Sequence, residues 1–127
     1  MTYRVLIVDD SKLARMSAAR LLSGLRPDWQ RVEASNADEA LAQAAAGAVD
    51  VALLDFNMPG RDGLALAGDL LDLRPGIPIA LVSANHQREV VQNAAELGAA
   101  FLPKPLTHDA LDDFVQTAER QLKAAGQ

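Results

Sequence analysis

Five residues in this sequence have the types and spacing to do chemistry together: the adjacent carboxylates Asp9 and Asp10, the carboxylate Asp55, the hydroxyl of Ser83 and the ammonium of Lys104. Each follows closely on an apolar run. R-V-L-I-V precedes Asp9, V-A-L-L precedes Asp55, P-I-A-L-V precedes Ser83, and A-A-F-L precedes Lys104 by one proline. Runs of this length suit strands buried on both faces of a parallel sheet. Open α/β sheets place their ligands at the carboxyl ends of such strands. Folding would therefore gather these residues at one edge. Three carboxylates brought together repel one another and call for a hard cation such as Mg²⁺, which prefers few protein ligands and phosphate oxygens. A lysine and a hydroxyl opposite can hold phosphoryl oxygens. The set suits phosphoryl transfer to a carboxylate. Taken singly, each residue has an ordinary explanation: strand-end aspartates cap and turn the chain, and serines commonly end strands.

The elements that must position these groups alternate along the chain. Arg4 to Val8 reads as a first strand, and Ser11 caps a helix in which Leu13, Met16, Ala19 or Arg20, and Leu21 recur at helical spacing until Gly24 to Pro27 ends it. Arg31 to Ala34 is a weaker strand, nearer the sheet edge. Asn36 with Glu39 resembles a capping box opening an alanine-rich helix that closes at Gly47. Asp50 to Leu54 is the central strand. Met58-Pro59-Gly60 breaks it, and Leu64 to Leu73 is the next helix, with Asp62 a cap. Pro78 to Val82 is a strand, Asn85 to Leu97 a polar helix stopped by Gly98, and Ala99 to Leu102 the last strand. Thr107 caps a final helix whose apolar stripe is Leu111, Phe114, Val115, Ala118 and Leu122. Strands joined through helices run parallel with right-handed crossovers. The pattern predicts a doubly wound α/β fold, one domain over residues 1–127 with no output domain.

Composition narrows the function. The chain has 127 residues, 50% hydrophobic and 4% aromatic, which predicts a globular core of aliphatic residues and alanine. A net charge of −5 argues against general affinity for nucleic-acid phosphate. The absence of cysteine excludes disulfides, thiolate catalysis and cysteine–zinc sites. The N-terminal apolar run is too short for a signal peptide or membrane span, so a cytoplasmic protein is expected.

Taken together, D-D-S-K after the first strand, D-F-N-M-P-G-R-D-G after the third, V-S-A after the fourth and K-P after the fifth resemble the receiver domain of bacterial two-component response regulators. The resemblance covers essentially the whole chain. It implies the flavodoxin-like strand order 2-1-3-4-5. It implies that Asp55 is the phosphoacceptor and attacks a phosphohistidine on a sensor histidine kinase or histidine phosphotransfer protein. Asp10 would then bind Mg²⁺ directly, Asp9 would assist through water, and Asn57 would offer its backbone carbonyl. Lys104 would pair with the phosphoryl group, and a cis Lys104–Pro105 bond would aim it. Ser83 would donate its hydroxyl, and Phe101 would be the coupled switch aromatic. Phosphorylation would be reported at the surface of the fourth helix, fifth strand and fifth helix to a downstream protein target. Homodimerisation can use that same face. Such a protein is a signalling switch and not an enzyme.

The sequence departs from the common pattern where Phe101 replaces a frequent tyrosine, where Pro103 gives a stiff P-K-P loop, and at the variable positions Phe56 and Asn85. Lys12 and Arg15 suit either steering of an anionic donor or a solvated helix face. His86 and His108 read as surface residues. Three rival functions differ in testable ways. An aspartyl-phosphate hydrolase of the haloacid dehalogenase type would need a second acid two residues after Asp55, where Asn57 stands. A flavodoxin-like nucleotide or flavin module would need a glycine- and hydroxyl-rich loop where Asp9-Asp10 stands. A degenerate receiver would act only as an interaction module.

Overall fold

The computed structural model describes residues 2–84 and 88–126. Five strands and five helices alternate: β1 (Arg4–Val8), α1 (Lys12–Leu25), β2 (Gln30–Ala34), α2 (Ala37–Ala46), β3 (Val51–Asp55), α3 (Gly63–Leu73), β4 (Ile79–Ser83), α4 (Arg88–Glu96), β5 (Ala100–Pro103) and α5 (His108–Ala124). The strands form one parallel sheet in the order β2-β1-β3-β4-β5. This is the flavodoxin-like order, with the acidic strands β1 and β3 side by side at its centre.

Side chains alternate across the pleat and so build two cores. Val5 and Ile7 of β1, Val51 and Leu53 of β3, and Ala80 and Val82 of β4 pack on one face beneath α1 and α5. Leu6, Val8, Ala52, Leu54, Ile79 and Leu81 pack on the other beneath α2, α3 and α4. All five residues of the α5 stripe, Leu111, Phe114, Val115, Ala118 and Leu122, are buried in the first core.

The helices begin where side-chain oxygens can satisfy orphan amides. Ser11, Asn36, Asp62 and Thr107 accept from the amides of Ala14, Glu39, Ala65 and Ala110 respectively. The capping box at α2 closes on the Ser35 amide and hydroxyl, each 2.7 Å from Glu39 Oε1, and these bonds lower the Glu39 pKa.

The structure shifts several expected boundaries. β3, β4 and β5 each run one residue further toward their carboxyl ends than the apolar runs suggested, so Asp55, Ser83 and Pro103 are strand residues. Pro78 is excluded because it has no amide to give the ladder, although its carbonyl accepts from Ala52 at 3.0 Å. Asp50 likewise lies outside β3 and instead accepts the Arg4 amide and the Arg74 guanidinium. α1 keeps only part of the expected inward stripe, Ala19 and Leu21, which pack half-buried against the first core. Leu13 and Met16 are 73% and 46% exposed, while Ala18 and Leu22 are buried. The inward stripe carries small residues near the sheet's carboxyl edge, where the helix lies against β1. The expected helix start at Asn85 and the neighbouring His86 lie outside the described residues, and the described helix α4 begins at Arg88 and ends at Glu96. Among the described residues no helix is long and apolar enough to cross a membrane.

Candidate functional site

Asp9 follows the last residue of β1, Asp55 is the last residue of β3, and Ser83 is the last residue of β4. These three are the buried polar side chains among the described residues, at 7%, 4% and 1% exposure. Burial of a polar group costs free energy unless it is partnered, and a charge costs more. That the sheet edge holds two carboxylates and a hydroxyl out of solvent is therefore the site's first signature.

The acids converge as the strand ends predict. One oxygen from each of Asp9, Asp10 and Asp55 lies within 4.8 Å of the others. Asp10 is the exposed member, at the mouth of the crevice. Lys104 supplies the counter-charge. Its Nζ lies 3.0 Å from Asp55 Oδ1 and 3.4 Å from Asp9 Oδ2. The Lys104–Pro105 peptide bond is cis, and the Lys104 amide donates to the Ser83 carbonyl at 3.0 Å. The loop is thereby tied to the end of β4.

The electrostatics follow from this packing. Burial raises the Asp55 pKa and the Asp9 charge adds to the rise, while the bonds from Lys104 and the Asn57 backbone oppose it. Burial lowers the Lys104 pKa, but Asp55 and Asp9 outweigh it and the net shift is upward. The lysine is held as a cation, and the Asp55 carboxylate lies in the negative field of Asp9. Crowded acids with one ammonium between them favour a further positive charge. The donor set is all oxygen, with carboxylates and no thiolate or imidazole, and this fits a hard divalent cation such as Mg²⁺ in preference to a softer metal.

The backbone around Asp55 is tightly set. Phe56 donates to the Val82 carbonyl at 2.9 Å, and the Gly63 amide returns to the Phe56 carbonyl at 2.9 Å. The loop between them exposes Asn57 and buries Met58. Gly60 takes a positive φ of 82°, which favours glycine at this reversal. Beside the acids, a cavity of about 320 Å³ opens between α1 and the Lys104 loop, walled by Ile7, Ala14, Leu53, Val82, Pro105 and Leu106. Such an apolar wall strengthens the electrostatics of the acids next to it.

Other expected residues lie apart. Phe101 is half-buried on β5, in the groove that β5 forms with α5. Lys12 and His108 are exposed, and Asp62 caps α3. Arg15 is not a solvated side chain. Its Nη1 donates to the Asp9 carbonyl at 2.7 Å and its Nε to Glu33 Oε1 at 3.0 Å. Sequence reasoning left that role unassigned, because the partner Glu33 comes from β2 and nothing local pairs the two.

The comparisons with known proteins agree with this geometry. The response regulator receiver domain family matches residues 5–116. A protein-glutamate methylesterase/protein-glutamine glutaminase of Moorella thermoacetica is 39% identical over 128 residues, covering 96% of this chain and 29% of the relative. A glycerol metabolism activator of Pseudomonas putida is 34% identical over 119 residues, covering 90% of this chain and 52% of the relative. The chain thus spans about half or less of the length of these two relatives. A CheY-like response regulator receiver domain protein of Methanospirillum hungatei superposes with a TM-score of 0.87 at 27% identity, over 98% of this chain and 99% of that one. A match across most of the chain, the shared strand order and the acidic edge of the sheet lead to one conclusion: this chain belongs to the response regulator receiver domain family of two-component signalling.

Proposed function

We propose that this receiver domain is a phosphoryl-accepting switch in which Asp55 takes a phosphoryl group from a phosphohistidine on a sensor histidine kinase or histidine phosphotransfer protein. The observation that carries the reading is the buried Asp55 carboxylate, held 3.0 Å from Lys104 within a cluster of three acids. Receiver domains bind Mg²⁺ at an acidic pocket, and here Asp9, Asp10 and Asp55, with the backbone carbonyl of Asn57, are the residues to hold it. The cation supplies neutralisation of charge on the transferring phosphoryl oxygens.

This chain's own residues do the rest. An Asp55 oxygen attacks phosphorus, a P–O bond forms, and the P–N bond to the donor histidine breaks. The imidazole leaves with the bonding electrons. Lys104 then moves its charge from the free carboxylate to the new phosphoryl oxygens, and the Ser83 hydroxyl donates to another. Each such bond draws β4 and the β5–α5 loop toward the acceptor. Phe101, half-buried on β5, is the side chain we assign to carry that movement to the α4–β5–α5 surface, where a downstream protein target reads it. A switch from 1:99 to 99:1 needs about 5.5 kcal/mol of differential stabilisation, within reach of a few charge-assisted bonds. The domain turns over no small-molecule substrate in this scheme; it is a signalling element.

Incubation with a small-molecule phosphodonor and Mg²⁺, followed by intact-mass measurement, tests the reading. A gain of one phosphoryl group that chelator abolishes is the expected result. No gain from several donors, in a folded protein, would favour a receiver that serves only as an interaction module.

A further inference from the structure

We propose that Arg15, anchored by Glu33, is a positioning residue for the acid pair: it fixes the Asp9–Asp10 peptide so that both carboxylates face the cation site. The inference rests on the reading of Asp9, Asp10 and Asp55 as that site.

The chain leaves the sheet at Asp9. The last ladder pair of β1 with β2 is Val8 with Ala34, and the Asp9 amide still reaches the Ala34 carbonyl at 3.2 Å. Beyond it the Asp9 carbonyl has no strand to accept from, and the Arg15 guanidinium fills that role at 2.7 Å. The peptide joining the two acids is therefore held at its carbonyl by α1, while the amide before it is held by β2. The Asp9 carboxylate is separately fixed by the Ser11 amide at 2.9 Å and by Lys104. Asp10 is exposed with one carboxylate oxygen within 4.8 Å of those of Asp9 and Asp55, and the peptide that Arg15 holds places the Cα from which this side chain leaves.

Arg15 needs its own anchor. A guanidinium next to two carboxylates would otherwise swing onto them and compete with a cation. Glu33, the residue before Ala34 on β2, holds Nε at 3.0 Å and keeps Nη1 on the carbonyl; the Arg15 side chain is only 15% exposed. A lysine has one ammonium and lacks the rigid fork that makes both contacts in fixed geometry.

The proposal predicts a sign. As a bare charge, Arg15 repels a divalent cation, so its removal would tighten Mg²⁺ binding. As a positioning residue, its removal loosens binding, by roughly tenfold on the scale typical of partners that orient metal ligands. Titration calorimetry with MgCl₂ on the native chain, Arg15→Gln, Arg15→Lys and Glu33→Gln reads this directly. The expected result is weaker Mg²⁺ binding in both Arg15 variants and a smaller loss, roughly threefold, in Glu33→Gln, with native-like circular dichroism. If Arg15→Gln does not fold, the half-exposed Glu33→Gln keeps the test. Affinity equal to or tighter than native in the variants, where the native chain binds Mg²⁺, overturns the proposal. A folded native chain that fails to bind Mg²⁺ overturns the cation site itself and this inference with it.

Discussion

Gly63 sits so close over Asp55 that a Cβ at this position would collide with the Asp55 backbone carbonyl oxygen. The first residue of α3 is thus packed onto the main chain of the proposed phosphoacceptor. Gly63 also returns its amide to Phe56, so the loop from Asn57 to Asp62 is closed at its base. Gly63→Ala must push α3 or the end of β3 aside. The expected cost is about 1–3 kcal/mol, as for other overpacked sites. Urea unfolding checks it, and phosphoryl uptake should fall with it because Asp55 moves.

The Lys104 ammonium is shared by Asp55 and Asp9. In the proposed transfer it stabilises charge on the phosphoryl group, whereas in the resting domain it occupies the carboxylates. Lys104→Met should therefore slow phosphoryl uptake by roughly 100-fold, the scale of losing one preorganised donor. Mg²⁺ affinity should stay the same or rise, since a competing cation is gone. Uptake rates by intact mass, paired with metal titration, separate the two effects.

The two halves of the first core are tied by Arg26, the residue after α1, and Glu119 of α5, which meet through two hydrogen bonds of 3.0 and 2.7 Å. The bond from Arg26 holds the Glu119 carboxyl below its ordinary pKa. A depressed folded pKa contributes stability above the unfolded value, near 4.3, and loses it as pH falls through the folded pKa. Glu119→Gln should thus cost about 0.5–1 kcal/mol at pH 7, allowing for partial solvent screening of the pair. The gap between native and variant should close as the medium is acidified below that depressed value. Urea midpoints across the acid range give the comparison.

Much of this architecture was legible because it is encoded locally. Apolar runs ending in Asp9, Asp55 and Ser83 locate strand ends, and Ser11, Asn36, Asp62 and Thr107 mark helix starts through side-chain oxygens that need only the next turn. The strand order was available only through the family likeness, since periodicity does not say which strands pair. What the sequence hid is set by distant partners. Arg15 meets Glu33 across to β2, Arg26 meets Glu119 on α5, and the Asp50 carboxylate is taken by Arg4 and Arg74 just before β3. Part of the inward face of α1 was hidden for a related reason. Leu13 and Met16 have the spacing of a core stripe, yet the helix lies on the sheet through Ala18 and Leu22.

The measurement that bears most directly on the central claim is the location of the phosphoryl group. Borohydride reduces an aspartyl phosphate to homoserine, a change that peptide mass spectrometry can place on a single residue. Treatment of the domain after incubation with phosphodonor and Mg²⁺ should yield homoserine at position 55, and none in Asp55→Asn. A phosphoryl gain that survives reduction, or that maps to another residue, would contradict Asp55 as the acceptor.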